Sequence, residues 1–161
     1  MTDDALSNKE IDQFLTFEIA GEVYGVDILK VQEIRGWEPV REIPNTPAFI
    51  KGALNLRGSI VPIVDLRERF KMDRTDYSPM TVVIVLCVEH QSGTSVMGIV
   101  ADSVSDVLDV NAVDIKEAPN LGSHIDTRYM RGMYVIEDKM VLLLNVAKLL
   151  NPEEFDGVEG L

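Results

Sequence analysis

The sequence predicts a mainly β protein built as two small antiparallel barrels with short helices. Three observations predict it. Apolar and polar residues alternate in short runs bounded by turn residues, which is the period of a half-buried strand. The chain repeats itself once, at a spacing of 80 positions. Each half carries roughly five such runs in about 65 residues, which suits a small barrel that removes most exposed sheet edge by closing.

The repeat is weak in identity and long in register. Residues 49–70 align without a gap on residues 129–150. Gly52/Gly132 and Val61/Val141 are the identities, while aromatic meets aromatic at 49/129, base meets base at 51/131, and Asp65 meets Asn145. Upstream, Arg41-Glu42-Ile43-Pro44-Asn45 resembles Lys116-Glu117-Ala118-Pro119-Asn120, and Val23-Tyr24-Gly25-Val26 resembles Val96-Met97-Gly98-Ile99. Three matches in one order indicate duplication. The chain therefore divides into two intertwined barrel subdomains, expected at roughly 13–75 and 76–152. Residues 1–12 and 153–161 lack periodicity and are expected to be flexible.

Within the first half, Leu15, Phe17 and Ile19 alternate with Thr16 and Glu18, so they predict a strand. Ala20-Gly21-Glu22 turns it back into residues 23–26. Residues 27–34 read as a short helical turn capped by Asp27 and running into a strand, although the matching 103–108 fits a strand as well. In the second half, residues 82–88, the turn Gln91-Ser92-Gly93-Thr94 and residues 96–100 form the hairpin that matches 15–26. A second hairpin in each half turns at Asn55-Leu56-Arg57-Gly58-Ser59 and at Glu137-Asp138-Lys139. Pro62 has no N–H to give a ladder, so its strand is expected at an edge or at a bulge. Short helices over 66–70 and 146–150 close the halves.

Composition narrows the function. The 161 residues are 46% apolar and 26% charged, a globular composition. Fifteen Lys and Arg against 27 Asp and Glu give a net charge of −12, which repels a phosphate backbone and an anionic lipid surface alike. The apolar run 82–88 is far shorter than the roughly 20 residues needed to span a bilayer. An acidic start without a basic and then an apolar region predicts a protein that stays in the cytoplasm. Cys87, the single cysteine, lies inside the apolar run and is expected to be a packed, inert thiol.

Reactive groups are scarce. His90 and His124 fall in turn or loop segments and read as solvated residues. One cysteine and two distant histidines make no zinc site, and no phosphate-cradling glycine loop or nucleophile elbow occurs. The reading is of no catalytic residue, no cofactor and no metal. A binding module remains, with a small-ligand or enzymatic barrel as the much weaker alternative.

The motifs that carry family character are Gly-Val-Asp-Ile-Leu-Lys-Val-Gln-Glu-Ile-Arg-Gly from Gly25, Asn-Thr-Pro-Ala-Phe-Ile-Lys-Gly from Asn45, and Asn-Leu-Arg-Gly-Ser-Ile-Val-Pro-Ile-Val-Asp-Leu-Arg from Asn55. Gly-Ile-Val-Ala-Asp-Ser-Val-Ser-Asp-Val from Gly98 continues the match. Over about residues 13–151 the chain resembles the CheW family of bacterial chemotaxis coupling proteins. That fold also occurs in a regulatory domain of the kinase CheA and in CheV, both of which carry further domains. The resemblance implies two five-stranded, SH3-like barrels and a non-catalytic adaptor, monomeric when free. Its implied partners are the histidine kinase CheA, through that regulatory domain, and the cytoplasmic tips of methyl-accepting chemoreceptors. Recruitment to receptor arrays at the inner face of the membrane follows. The resemblance does not choose between a flagellar output and another chemosensory one.

The resemblance also implies site residues. The receptor surface maps to Val31, Glu33, Gly52 and Arg57, the kinase contact to Ser59 and Ile60, and a second, ring-forming contact to Lys116 and Leu121. Each has a plainer alternative. Gly52 and Gly58 can serve backbone angles with φ > 0, and Val31 can be core. Arg57 at a turn can be a solvated cation or a guanidinium fork presented to a carboxylate, with Glu33 as the group expected to position it. Trp37, among turn residues, reads as a lid on the first barrel or a partly exposed anchor.

Overall fold

The computed structural model describes residues 11–42, 44, 50–73, 76–91, 93–118 and 125–151. β1 (Ile11–Ile19) and β2 (Glu22–Asp27) form a hairpin around Ala20 and Gly21, both left-handed at φ 54° and 80°. Asp27 caps a 3-10 turn at Ile28–Lys30 by accepting the Leu29 N–H at 2.9 Å, and β3 (Val31–Gly36) leaves that turn. The helical turn and the strand expected over 27–34 are therefore both present. A second hairpin, β4 (Ile50–Leu56) and β5 (Ser59–Val64), leads into α1 (Leu66–Arg69). The second half runs β6 (Val82–His90), β7 (Gly93–Ala101), β8 (Ser103–Asn111), β9 (Met130–Ile136), β10 (Lys139–Leu144) and α2 (Val146–Leu149).

The 80-residue repeat maps element on element: β4 onto β9, β5 onto β10 and α1 onto α2, with identical bounds after the shift. The match of Asp65 to Asn145 has a local cause. Each side chain caps its helix, Asp65 Oδ1 accepting the Arg67 N–H at 2.9 Å and Asn145 Oδ1 accepting the Lys148 N–H at 3.1 Å.

Two five-stranded sheets result, in the orders β3-β6-β7-β5-β4 and β8-β1-β2-β10-β9. The orders are the same once each strand is replaced by its repeat partner. The first hairpin of each half sits in the sheet of the other half, so neither sheet coincides with residues 13–75 or 76–152. That corrects the sequential division and shows how the halves interlock. Hairpin exchange also places one parallel pair in each sheet, β5 with β7 and β10 with β2, among otherwise antiparallel neighbours. No ladder joins β3 to β4 or β8 to β9 among the described residues, so the sheets curl without closing by hydrogen bonds.

Three further expectations change. β5 is not an edge strand; Pro62 sits just before the residues that pair with β7, and the irregularity falls on β4 between Ile50 and Gly52. Ile11 and Asp12 are strand residues rather than frayed ones, opposite Asn111 and Val110, with Asp12 also paired to Arg131 at 2.7 Å. Cys87 lies in β6 as expected, but it is half-buried.

Burial explains why the sheets depend on each other. On β6, Ile84, Leu86 and Val88 face a core shared with Leu15, Phe17, Tyr24 and Val26 of the other sheet, whereas Val83 and Val85 face a core inside their own sheet. A strand buried on both faces needs an unbroken apolar run, and 82–88 supplies it. The third core, around Phe14, Val110, Val141 and Leu143, fills the β8-β1-β2-β10-β9 sheet. Arg67 ties the sheets together as well. Its Nη2 reaches Asp102 Oδ2 and its Nε reaches Oδ1 at 3.3 Å, while Asp102 accepts the Ala20 N–H at 2.9 Å. Asp102 stands where the chain crosses from β7 to β8, so this cluster fixes the crossover.

Candidate functional site

The β4–β5 turn is built from Arg57 and Gly58, at φ 53° and 89°. Two successive left-handed residues make the tight hairpin whose twist matches that of the strands. Asn55 Oδ1 accepts the Gly58 N–H at 2.9 Å and holds the turn in that form. The Arg57 side chain is 78% exposed, and its Nη1 donates to Glu33 Oε1 at 3.2 Å. Glu33 comes from β3, at the opposite edge of the same sheet from β4. A charge-assisted contact thus bridges the two edges that no backbone ladder joins. Glu33 Oε2 lies 3.5 Å from Arg35 Nη1, and Arg35 Nη2 lies 3.4 Å from Glu38 Oε1, so cations and carboxylates alternate along this face.

The other expected residues divide around this pair. Val31 is half-buried against the shared core, so its side chain is mainly packing. Gly52 is buried and serves a close approach. A Cβ there would strike the Arg41 carbonyl, because Arg41 and Ala53 form an isolated antiparallel bridge across the outer side of β4. Gly132 has the same task against Lys116, which bridges Met133. The glycine identity of the ungapped stretch, Gly52/Gly132, is thereby explained. Ser59 and Ile60 open β5 directly after the Arg57-Gly58 turn, and Ile60 is 66% exposed. Lys116 is exposed. Leu121 and His124 lie outside the described residues, as do the segment 45–49 and the chain beyond Asn151.

Trp37 is a lid. It is half-buried over the core of its sheet, with its ring centroid 4.2 Å from that of Tyr77, whose hydroxyl donates to Asp65 Oδ2 at 2.7 Å. His90 Nε2 lies 3.1 Å from Ser95 Oγ across the β6–β7 hairpin. No group of three or more His, Cys, Asp or Glu residues is placed to hold a metal ion among the described residues. No helix among them is long and apolar enough to cross a membrane.

Sequence reasoning missed the Arg67–Asp102 crossover and a cleft in the β8-β1-β2-β10-β9 sheet. Neither has a local motif, since each joins residues from elements far apart in the chain.

Residues 13–154 match the family model described as CheW-like domain. The chain belongs to the CheW-like domain family. Among its relatives, the chemotaxis protein CheW of Klebsiella aerogenes is 47% identical over 149 residues, covering 92% of this chain and 87% of that protein. A probable chemotaxis protein CheW of Rhizobium etli is 34% identical, over 90% of this chain and 91% of its own length. The solved structure of the scaffolding protein CheW from Thermoanaerobacter tengcongensis superimposes with a TM-score of 0.78 at 31% identity, covering 92% of each chain. The paired five-stranded sheets are thus the CheW-like fold, and the chain is a chemotaxis adaptor of that family.

Proposed function

We propose that this CheW-like protein is a non-catalytic coupler that binds cytoplasmic chemoreceptor tips and the histidine kinase CheA and supports receptor control of autophosphorylation. The receptor surface is centred on the exposed Arg57 guanidinium held by Glu33 and includes Val31 of β3 and Gly52 of β4. The kinase contact is the start of β5 at Ser59 and Ile60, and Lys116 with Leu121 forms the second, ring-type contact. The protein works in the cytoplasm, at receptor arrays on the inner face of the membrane.

The observation that carries this reading is the Glu33–Arg57 bridge. It presents a fork of N–H donors on an exposed hairpin beside an exposed Ile60, a charged anchor next to an apolar one. Prepaying the rotamer order of Arg57 through Glu33 lowers what receptor binding must spend on it. A two-partner adaptor needs such adjacent but chemically distinct contacts. Reconstitution tests it: CheA autophosphorylation is followed with receptor-bearing vesicles, with and without the protein. Receptor control that appears only when the protein is added supports coupling, and equal rates in both reactions refute it.

A further inference from the structure

The two sheets are copies in plan, yet their mouths differ. Glu33 stands opposite Val85, whose hairpin partner is Gly98; the matching Gly25 pairs with Thr16, whose hydroxyl donates to the Asp106 carbonyl and accepts the Asp106 N–H, so Asp106 holds the position of Glu33 in the other sheet. Arg57 corresponds to Glu137, at the turn between β9 and β10, where φ is again left-handed at 48°. The ion pair that bridges one mouth is therefore replaced in the other by two carboxylates, Asp106 and Glu137, which repel. There the sheet opens on a cleft of about 640 Å³, lined by both Asp106 and Glu137. That volume is in the range of sites that hold a ligand or peptide side chains.

The lining has two characters. Val141 and Leu142 are buried and Leu108 and Ile136 half-buried, so apolar groups line its depth. Asp106 and Glu137 are exposed and Glu18 and Glu22 half-buried, against Lys139 as the cation of the lining. Glu22 is fixed by the Tyr24 hydroxyl, which donates to its Oε1 at 2.8 Å. Carboxylates above an apolar floor complement a segment that carries cations beside apolar side chains. We infer that this cleft docks a short cationic, amphipathic segment of a partner protein. The site is separate from the Glu33–Arg57 face and does not depend on the receptor assignment.

A blocked hexapeptide of alternating Lys and Leu, carrying a fluorophore, tests the inference by anisotropy titration, with a Glu/Leu peptide as the reverse-charge control. Because a protein of charge −12 attracts any cation loosely, two doubly neutralised variants are compared. Glu18→Gln with Glu137→Gln removes charge from the cleft, and Asp76→Asn with Glu117→Gln removes as much from exposed positions outside it. The expected result is a Kd weakened about fivefold or more by the first pair and changed less than about twofold by the second, with no binding of the Glu/Leu peptide. Amide shift changes in the unmodified protein should gather at Thr16, Ser105, Leu108 and Met140. Equal losses in both variants, no loss in either, or shifts spread over the rest of the acidic surface would overturn the cleft.

Discussion

Arg57 Nη1 lies 3.2 Å from Glu33 Oε1, and the contact spans the two edges of one curled sheet that no ladder joins to each other. Its value for folding is small, because an ion pair whose guanidinium is 78% exposed is screened by water and loses side-chain entropy. Replacing Arg57 with Ala should therefore change stability by only about 0–1 kcal/mol, and the melting temperature by no more than about 4 °C. Calorimetry checks this. A cooperative collapse of the fold would make Arg57 a structural residue.

Ile60→Asp should show the opposite selectivity to Arg57→Ala. Ile60 is 66% exposed, so a carboxylate there costs little in folding, while at a buried contact with CheA it would be desolvated without a partner. Binding to the CheA regulatory domain is expected to weaken at least about tenfold, the equivalent of 1.4 kcal/mol, with receptor binding kept. Paired titrations measure both.

Gly52→Ala should act through the fold. The new methyl collides with the Arg41 backbone, which is held by two hydrogen bonds to Ala53 (2.7 and 3.2 Å) and cannot move freely. Overpacking of this kind costs about 1–3 kcal/mol. Denaturant unfolding should show the loss, and both partners should be weakened together in proportion to the unfolded fraction. Selective loss of receptor binding with an unchanged midpoint would instead put Gly52 in the contact itself.

Asp102→Ala removes the acceptor for Arg67 and for the Ala20 N–H, leaving a guanidinium whose side chain is only 12% exposed without its carboxylate. A hydrogen bond to a charged group contributes about 1.5–3 kcal/mol, so a loss of that order is expected. Because both sheets share one core, unfolding should remain a single transition. Two separated transitions would show that the sheets are held together mainly at the crossover.

Much of this architecture was legible in the residues. The period of two marked the strands, the turn residues marked the hairpins, and the ungapped repeat over 49–70 and 129–150 marked β4, β5 and α1 with their copies. The hairpin exchange was not legible. Alternation fixes which residues share a face, but it says nothing about which half supplies the neighbouring strand, and both pairings bury the same apolar positions. Cys87 shows the same limit. It sits in a run buried on both sides, yet it falls past Val85 near the strand's end, where covering atoms thin out, so Cys87→Ser should cost less than about 1 kcal/mol. The Glu33–Arg57 bridge was legible because the resemblance put both residues on one surface. The cleft at Asp106 and Glu137 was not, since it depends on two carboxylates standing where the other sheet has the Glu33–Arg57 pair.

A receptor tip fragment, and in parallel the CheA regulatory domain, titrated with the unmodified protein, Arg57→Ala, Glu33→Gln and the double variant, separates the receptor contact from the kinase contact. Arg57→Ala should weaken receptor binding about tenfold or more, Glu33→Gln should have a smaller effect which vanishes once Arg57 is gone, and CheA affinity should stay within about twofold throughout. Normal receptor binding by Arg57→Ala, or loss of both partners together with the fold, would contradict the receptor role of Arg57.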